Sequence, residues 1–177
     1  MSLSDYHLID LTEKHLDRVL TWRNSKHVRQ AMYTDHFITP EEHRQWFERV
    51  KQDDHKLVWL FTYRDEPIGL VNLTSLDRQH RRCYWGFYMG ELKAPRGAGT
   101  AMGILAIDKI FQEQKLHKIC AEVIEMNQKS LNYHQKLGFH IEGRLKDHII
   151  KNHQYHDVLT LALFADYWQE VKTELRQ

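Results

Sequence analysis

The sequence predicts a mixed α/β sheet with helices on its faces. Three observations carry that prediction. The first half holds short apolar runs joined by tight turns, the pattern of a strand meander. The second half alternates strand-like runs with segments of helical periodicity. Between the halves, a small Gly-rich turn leads straight into a strongly apolar helical stretch. The chain has 177 residues, which suits one domain, spanning 1–177, around one sizeable core. No internal repeat or linker-like stretch interrupts it.

The elements follow in order. Tyr6 to Leu11 is a first strand, and Thr12 with Glu13 caps a helix reaching about Asn24. Thr39, Pro40, Glu41 and Glu42 open a second helix that runs to about Gln52, with Trp46, Phe47 and Val50 on its apolar face. Leu57 to Tyr63 and Ile68 to Thr74 form a hairpin about the turn Arg64–Pro67, and Arg82 to Met89 adds a third strand. Thr100 to Gln114 reads as a helix and Lys118 to Ile124 as a strand. Ser130 to Leu137 is a helix closed by Gly138. Phe139 to Gly143 and Asp157 to Phe164 are strands about a turn near Lys151 and Asn152, and Ala165 to Leu175 is a terminal helix.

Composition excludes several function classes. Apolar residues make up 42% and charged residues 28%, ordinary for a globular chain. With 25 basic against 24 acidic residues, the formal charge of +1 leaves no footprint for nucleic acid. No 18-residue apolar window predicts a membrane span, and MSLSDYHLIDL lacks the basic-then-apolar pattern of a leader. Cys83 and Cys120 form no CxxC and fit a reducing cytoplasm. There are 13 His, with His148, His153 and His156 near Asp157, but no HExxH or Cys-His spacing, so no metal is expected.

The Gly-rich turn, Arg96-Gly97-Ala98-Gly99-Thr100-Ala101, is neither a P-loop nor a GxGxxG fingerprint. It still has what an anion needs: a helix start with unpaired N–H groups, small residues that permit close approach, and a cation. The segment resembles the R/Q-x-x-G-x-G/A motif of the GNAT superfamily of N-acetyltransferases. Asn127-Gln128-Lys129-Ser130 followed by Lys136-Leu137-Gly138-Phe139 is similar to that family's second signature, and the strand order agrees along nearly the whole chain. The resemblance implies the acyl-CoA N-acyltransferase fold and acetyl-CoA as co-substrate. It implies that Arg96, Gly97, Ala98, Gly99, Thr100 and Ala101 meet the pyrophosphate. Phe87 and Met89 would lie along the pantetheine arm and thioester, with Asn127 also at the cofactor.

Acetyl transfer needs a neutral amine, a polarised thioester and a proton for the leaving thiolate. The resemblance implies direct attack, so neither cysteine is expected as a nucleophile. The family's acid is a Tyr, and the matching position holds His134, with Tyr133 one residue earlier. One residue is about 100° of helix rotation, so the two cannot share a place. His134, Tyr133 and a water all stand open as proton donors. Glu122, a carboxylate inside the apolar run KICAEVI, is the better candidate for the base or amine-binding group, and Glu125 for an ordinary loop charge.

Trp22 to Phe47 and the run Glu122 to Leu159 resemble the sugar-nucleotide N-acetyltransferases of pseudaminic acid biosynthesis. These act on UDP-4-amino-4,6-dideoxy-N-acetyl-β-L-altrosamine. By position, the resemblance implies substrate contacts from Arg23, Met32, Tyr33, His43, Trp46 and Tyr84, with Glu122 near the amine. Rival readings are an acetyltransferase of protein N-termini (RimJ/RimL-like), of a polyamine or of an antibiotic, and a non-catalytic acyl-CoA sensor. Between Trp22 and Trp46 stand four basic residues (Arg23, Lys26, Arg29, Arg44) against three acids (Asp35, Glu41, Glu42), which suits an anionic acceptor better than a polyamine. Edge strands near the C-terminus could pair two subunits in a homodimer.

Overall fold

The computed structural model of the protein describes residues 3–176. Its centre is a seven-stranded sheet in the order β1-β2-β3-β4-β5-β7-β6. The strands are β1 (Tyr6–Asp10), β2 (Leu57–Tyr63), β3 (Glu66–Asp77), β4 (Arg82–Met89), β5 (Lys118–Ile124), β6 (His140–Lys151) and β7 (Gln154–Phe164). Every neighbour pair is antiparallel except β4 and β5.

Strand alternation sorts side chains between two faces. Trp59 and Phe61 of β2, Val71 and Leu73 of β3, Cys83 and Trp85 of β4, and Ile119, Ala121 and Val123 of β5 enter the main core. That face is covered by α4 (Ala98–Asp108), α5 (Gln128–Lys136) and α6 (Ala165–Arg176). On the other face, α1 (Leu16–Asn24) sets Val19 and Trp22 against Leu60 and Leu70. The short α2 (Lys26–Arg29) and α3 (Pro40–Gln52) follow it.

Helix α4 is buried nearly all round, with Ala101, Ile104, Ala106 and Ile107 wholly inaccessible. A fully buried Ile contributes about 1.5–3 kcal/mol, so packing rather than capping holds this helix.

The structure departs from the expected elements in four places. The first helix opens with a 3-10 turn, Glu13–His15, before α1. The short α2 has no periodicity to announce it. The helix expected from Thr100 starts at Ala98 and ends in a π turn, Lys109–Glu113, where the Gln114 N–H donates to the Lys109 carbonyl at 3.1 Å. That wide turn carries both Ile110 and Phe111 into the core. The strand expected to end at Gly143 runs on to Lys151, with two register shifts against β7.

Candidate active site

β4 and β5 pair only from Arg82–Lys118 to Tyr84–Cys120, then separate. The rest of both strands forms the walls of a wedge. Just past β4 the Gly90 N–H donates to the Ile68 carbonyl of β3 at 2.9 Å, and the β3–β4 register is unbroken from there to Tyr84. By alternation, the N–H groups of Phe87 and Met89 turn away from β3 and toward the wedge. Their side chains pack on the core, so these residues offer the wedge backbone. Such exposed main-chain donors suit an extended amide-bearing chain. The imidazole Nε2 of His27 lies 3.3 Å from the Met89 carbonyl oxygen.

The Gly-rich turn lies just beyond β4. Gly97 has φ 89° and caps α4, a left-handed conformation that glycine adopts without strain. Ala98 and Ala101 are buried, so only their backbone is available to a ligand. Arg96 is exposed beside them. A Cβ on Gly99 would lie 3.8 Å from the Tyr133 ring, ordinary contact, so nothing inside the protein requires that glycine. Open space above a helix N-terminus is what a pyrophosphate needs. Lys136 also reaches this turn, its Nζ donating to Thr100 Oγ1 at 3.0 Å. Lys136, noted in the sequence only as part of the Lys-Leu-Gly-Phe run, thus adds a second cation beside the turn.

Asn127 caps α5, its side-chain oxygen accepting the Ser130 N–H at 3.1 Å. The two aromatic candidates on α5 diverge. The Tyr133 hydroxyl donates to the Gly99 carbonyl at 2.6 Å and abuts Gly103, and burial raises its pKa well above the usual phenol value. Its proton is committed to α4. His134 is 3% exposed and lies among Trp85, Phe87 and Phe139, at ring separations of 5.7, 5.4 and 5.0 Å. Trp85 and Phe87 are residues of β4 beyond its last pairing with β5, so His134 packs beneath the strand that walls the wedge. Its Nδ1 lies 2.8 Å from the Ser130 carbonyl, and burial lowers its pKa. Burial pushes the Cys83 thiol up to about 12 and raises Cys120 too, which keeps both as thiols at neutral pH.

Glu122 is exposed, although its strand is otherwise almost wholly buried. It escapes burial because β4 has left β5 at that height. It lies on the face opposite α4, where its carboxylate accepts the Tyr33 hydroxyl at 2.6 Å. Burial, then Glu122 itself, raises the Tyr33 pKa. Tyr84 projects from the same face and is electrostatically coupled to Glu122. Met32 is half-buried beside Tyr33. The loop that carries them is held by Lys151, whose Nζ donates to the carbonyls of Gln30 (2.8 Å) and Met32 (2.6 Å). Glu125 is paired with Arg144 at 2.9 Å, and Arg144 also binds Asp157.

Further along this face, Arg23 lies near Tyr88, Arg29 and His43. The buried Nη1 of Arg23, Nε of Arg29 and Nε2 of His43 all lack hydrogen-bond partners. Burial lowers the pKa of both Arg23 and His43. His43 stacks on Trp46 at 5.0 Å. A buried polar nitrogen without a partner is costly unless a ligand completes it. Among the described residues no group of three or more His, Cys, Asp or Glu is placed to hold a metal ion. Among the described residues no helix is long and apolar enough to cross a membrane.

Known proteins share this architecture. Residues 6–140 match the family described as Acetyltransferase (GNAT) domain. The chain is 31% identical over 109 residues to the spermidine N(1)-acetyltransferase of Escherichia coli, a match spanning 61% of this chain and 59% of that enzyme. It is 27% identical over 139 residues to the acetyltransferase PseH of Campylobacter jejuni, spanning 78% of this chain and 85% of that protein. The spermidine N-acetyltransferase of Vibrio cholerae, solved with CoA and spermine, superposes with a TM-score of 0.85 at 21% identity, covering 94% of this chain and 99% of that one. The family match runs over most of the chain, from residue 6 to residue 140, and the chain belongs to the GNAT acetyltransferase family.

Proposed function

We propose that the protein transfers the acetyl group of acetyl-CoA to the 4-amino group of a UDP-linked amino-deoxy sugar, by direct attack in a ternary complex. In this reading it serves pseudaminic acid biosynthesis in the cytoplasm. The wedge takes the pantetheine arm, and the turn Arg96–Ala101 takes the pyrophosphate. Glu122 receives the acceptor amine, and His134 stands at the sulfur.

One observation carries the acceptor class. Arg23 Nη1 and Arg29 Nε are buried, cationic and unpartnered, and His43 Nε2 beside them is also unsatisfied. They share a face of the sheet with the Tyr33–Glu122 pair. Arg23 faces Tyr88 and Glu122 faces Tyr84, and four strand residues span about 13 Å. That separation suits one acceptor carrying an amine at one end and a diphosphate toward the other. Met32, Tyr33, Trp46 and Tyr84 offer apolar and aromatic surface for a deoxy-sugar and a base.

The polyamine reading has the relatives named above in its favour. A polycation would have to approach the cationic guanidinium groups of Arg23 and Arg29, which is repulsive. The nearby acids Glu125 and Asp157 are already engaged by Arg144. The test is incubation with acetyl-CoA and either UDP-4-amino-4,6-dideoxy-N-acetyl-β-L-altrosamine or spermidine, following thiol release and product mass. Acetylation of the sugar nucleotide, weakened at least tenfold in kcat/KM by Arg23→Met, supports the proposal. Acetylation of spermidine alone would overturn it. Acetyl-CoA binding with no turnover on either, or on peptide N-termini, would favour the sensor reading.

A further inference from the structure

We infer that His134 is not a resting proton donor but a proton carrier: its bare Nε2 takes a proton from the attacking amine and hands it to the departing thiolate. The inference rests on the acetyl-transfer reading above. It concerns the position where family relatives are expected to carry a Tyr, which can only donate at neutral pH.

The closer of two contacts at Nδ1 selects the tautomer: Ser130 Oγ stands off at 3.4 Å, and its carbonyl is much nearer. The Ser130 carbonyl is an acceptor only, and it lies 2.8 Å from Nδ1 of His134. The ring proton therefore resides on Nδ1, and Nε2 carries a lone pair. The ring is 3% exposed and packed between Trp85 and Phe87 of β4, Phe139 at the entry to β6, and its own helix neighbours. The one titratable side chain among these contacts is Tyr133, whose hydroxyl is held by Gly99. No charged group contributes to the depressed pKa of His134: burial is its main cause, and the Ser130 contact opposes it. At neutral pH the imidazole is thus uncharged, with its acceptor nitrogen free and no proton to give from that atom.

The proton balance follows. The neutral amine attacks the thioester carbon, forming the C–N bond and an N-protonated tetrahedral adduct. Nε2 accepts one proton from that nitrogen, and His134 becomes an imidazolium in an apolar nest. The C–S bond then breaks. The imidazolium returns the proton to sulfur, giving free CoA thiol, the amide and a neutral His134. No proton is gained or lost, and the charged ring is short-lived because its surroundings disfavour it. Glu122 keeps a separate task, binding the acceptor and drawing off the proton that the incoming ammonium must lose first.

Two measurements on the full chain test this. In the free protein at neutral pH, nitrogen-15 spectra of labelled histidine, with His134 assigned by the signal lost in His134→Tyr or His134→Gln, should show a protonated Nδ1 and an unprotonated Nε2. The ratio of wild-type to His134→Tyr kcat should stay level near neutral pH and fall only below the ordinary imidazole range, because an imidazolium cannot accept a proton and a phenol does not titrate there. His134→Phe should lose about 10²–10⁴-fold in kcat with little change in KM for acetyl-CoA. Turnover with a flat ratio, or an Nε2–H tautomer, would remove this role and leave the acetyltransferase reading standing. No turnover on any amine would remove both.

Discussion

Tyr133 and His134 adjoin each other in the chain, yet one ring is turned to α4 and the other to β4. Counting from Asn127 marks the His134 slot in the sequence. The packing that turns one ring to Gly99 and the other to β4 is a tertiary fact, because about 100° of helix rotation separates them. Tyr133→Phe should therefore lower stability by about 0.5–1.5 kcal/mol, the usual net value of a buried hydrogen bond, and leave kcat within a few-fold. Urea unfolding and steady-state rates on one sample would check both. Glu122 was conspicuous as a carboxylate in an apolar strand, but the reason it is tolerated was hidden. Nothing local says that β4 parts from β5 at Tyr84. Glu122→Gln should cut kcat/KM for the acceptor by about 10²-fold, the low end of general acid–base effects, with acetyl-CoA affinity unchanged by calorimetry.

At the scale of elements, α4 carries two glycines with different reasons. A Cβ on Gly103 would lie 2.7 Å from the Tyr133 hydroxyl and 2.8 Å from Leu137, whereas Gly99 has room. Gly103→Ala should cost about 1–3 kcal/mol through overpacking against α5. Gly99→Ala should keep or slightly raise stability, since alanine suits a helix better, and weaken acetyl-CoA binding. If Gly99→Ala binds acetyl-CoA as tightly as wild type, the pyrophosphate does not approach that turn. The β6–β7 hairpin was the least legible element. Its polar, His-rich stretch from His148 to His156 reads as a loop, and its pairing is broken by register shifts. The hairpin nonetheless delivers Lys151 to the Gln30 and Met32 carbonyls. Lys151→Met should raise acceptor KM several-fold with kcat and acetyl-CoA KM nearly kept, because the loop bearing Met32 and Tyr33 loses its anchor.

For the whole molecule, β2, β4, β5 and the body of α3 were readable because apolar periodicity and turn chemistry agree there. Sheet order was not contained in those signals, and the family resemblance was read only for the order of elements along the chain. Order matters because the single parallel neighbour pair, β4 with β5, is the one that opens into the wedge. Burial also sets a global pH response. His43 and His134 are held below the usual imidazole value. The unfolded chain takes up their protons near pH ~6.5, whereas the folded chain does not until lower pH. Stability should therefore fall as pH drops below about 6.5, then level off once the folded-state values are passed. Asp53 is held low by the Lys56 ammonium and a backbone N–H, and Asp77 and Asp157 by backbone N–H groups and neighbouring cations, so their contribution is present above about pH 4 and lost below it. Urea midpoints between pH 7.5 and 5.5 should drop in the wild type and drop less in His134→Phe. The most direct test of the central claim is the mass of the product formed from acetyl-CoA and the UDP-4-amino-4,6-dideoxy sugar, with spermidine as competitor. The account predicts one added acetyl group on the sugar nucleotide and unmodified spermidine; acetylated spermidine beside an untouched sugar nucleotide would contradict it.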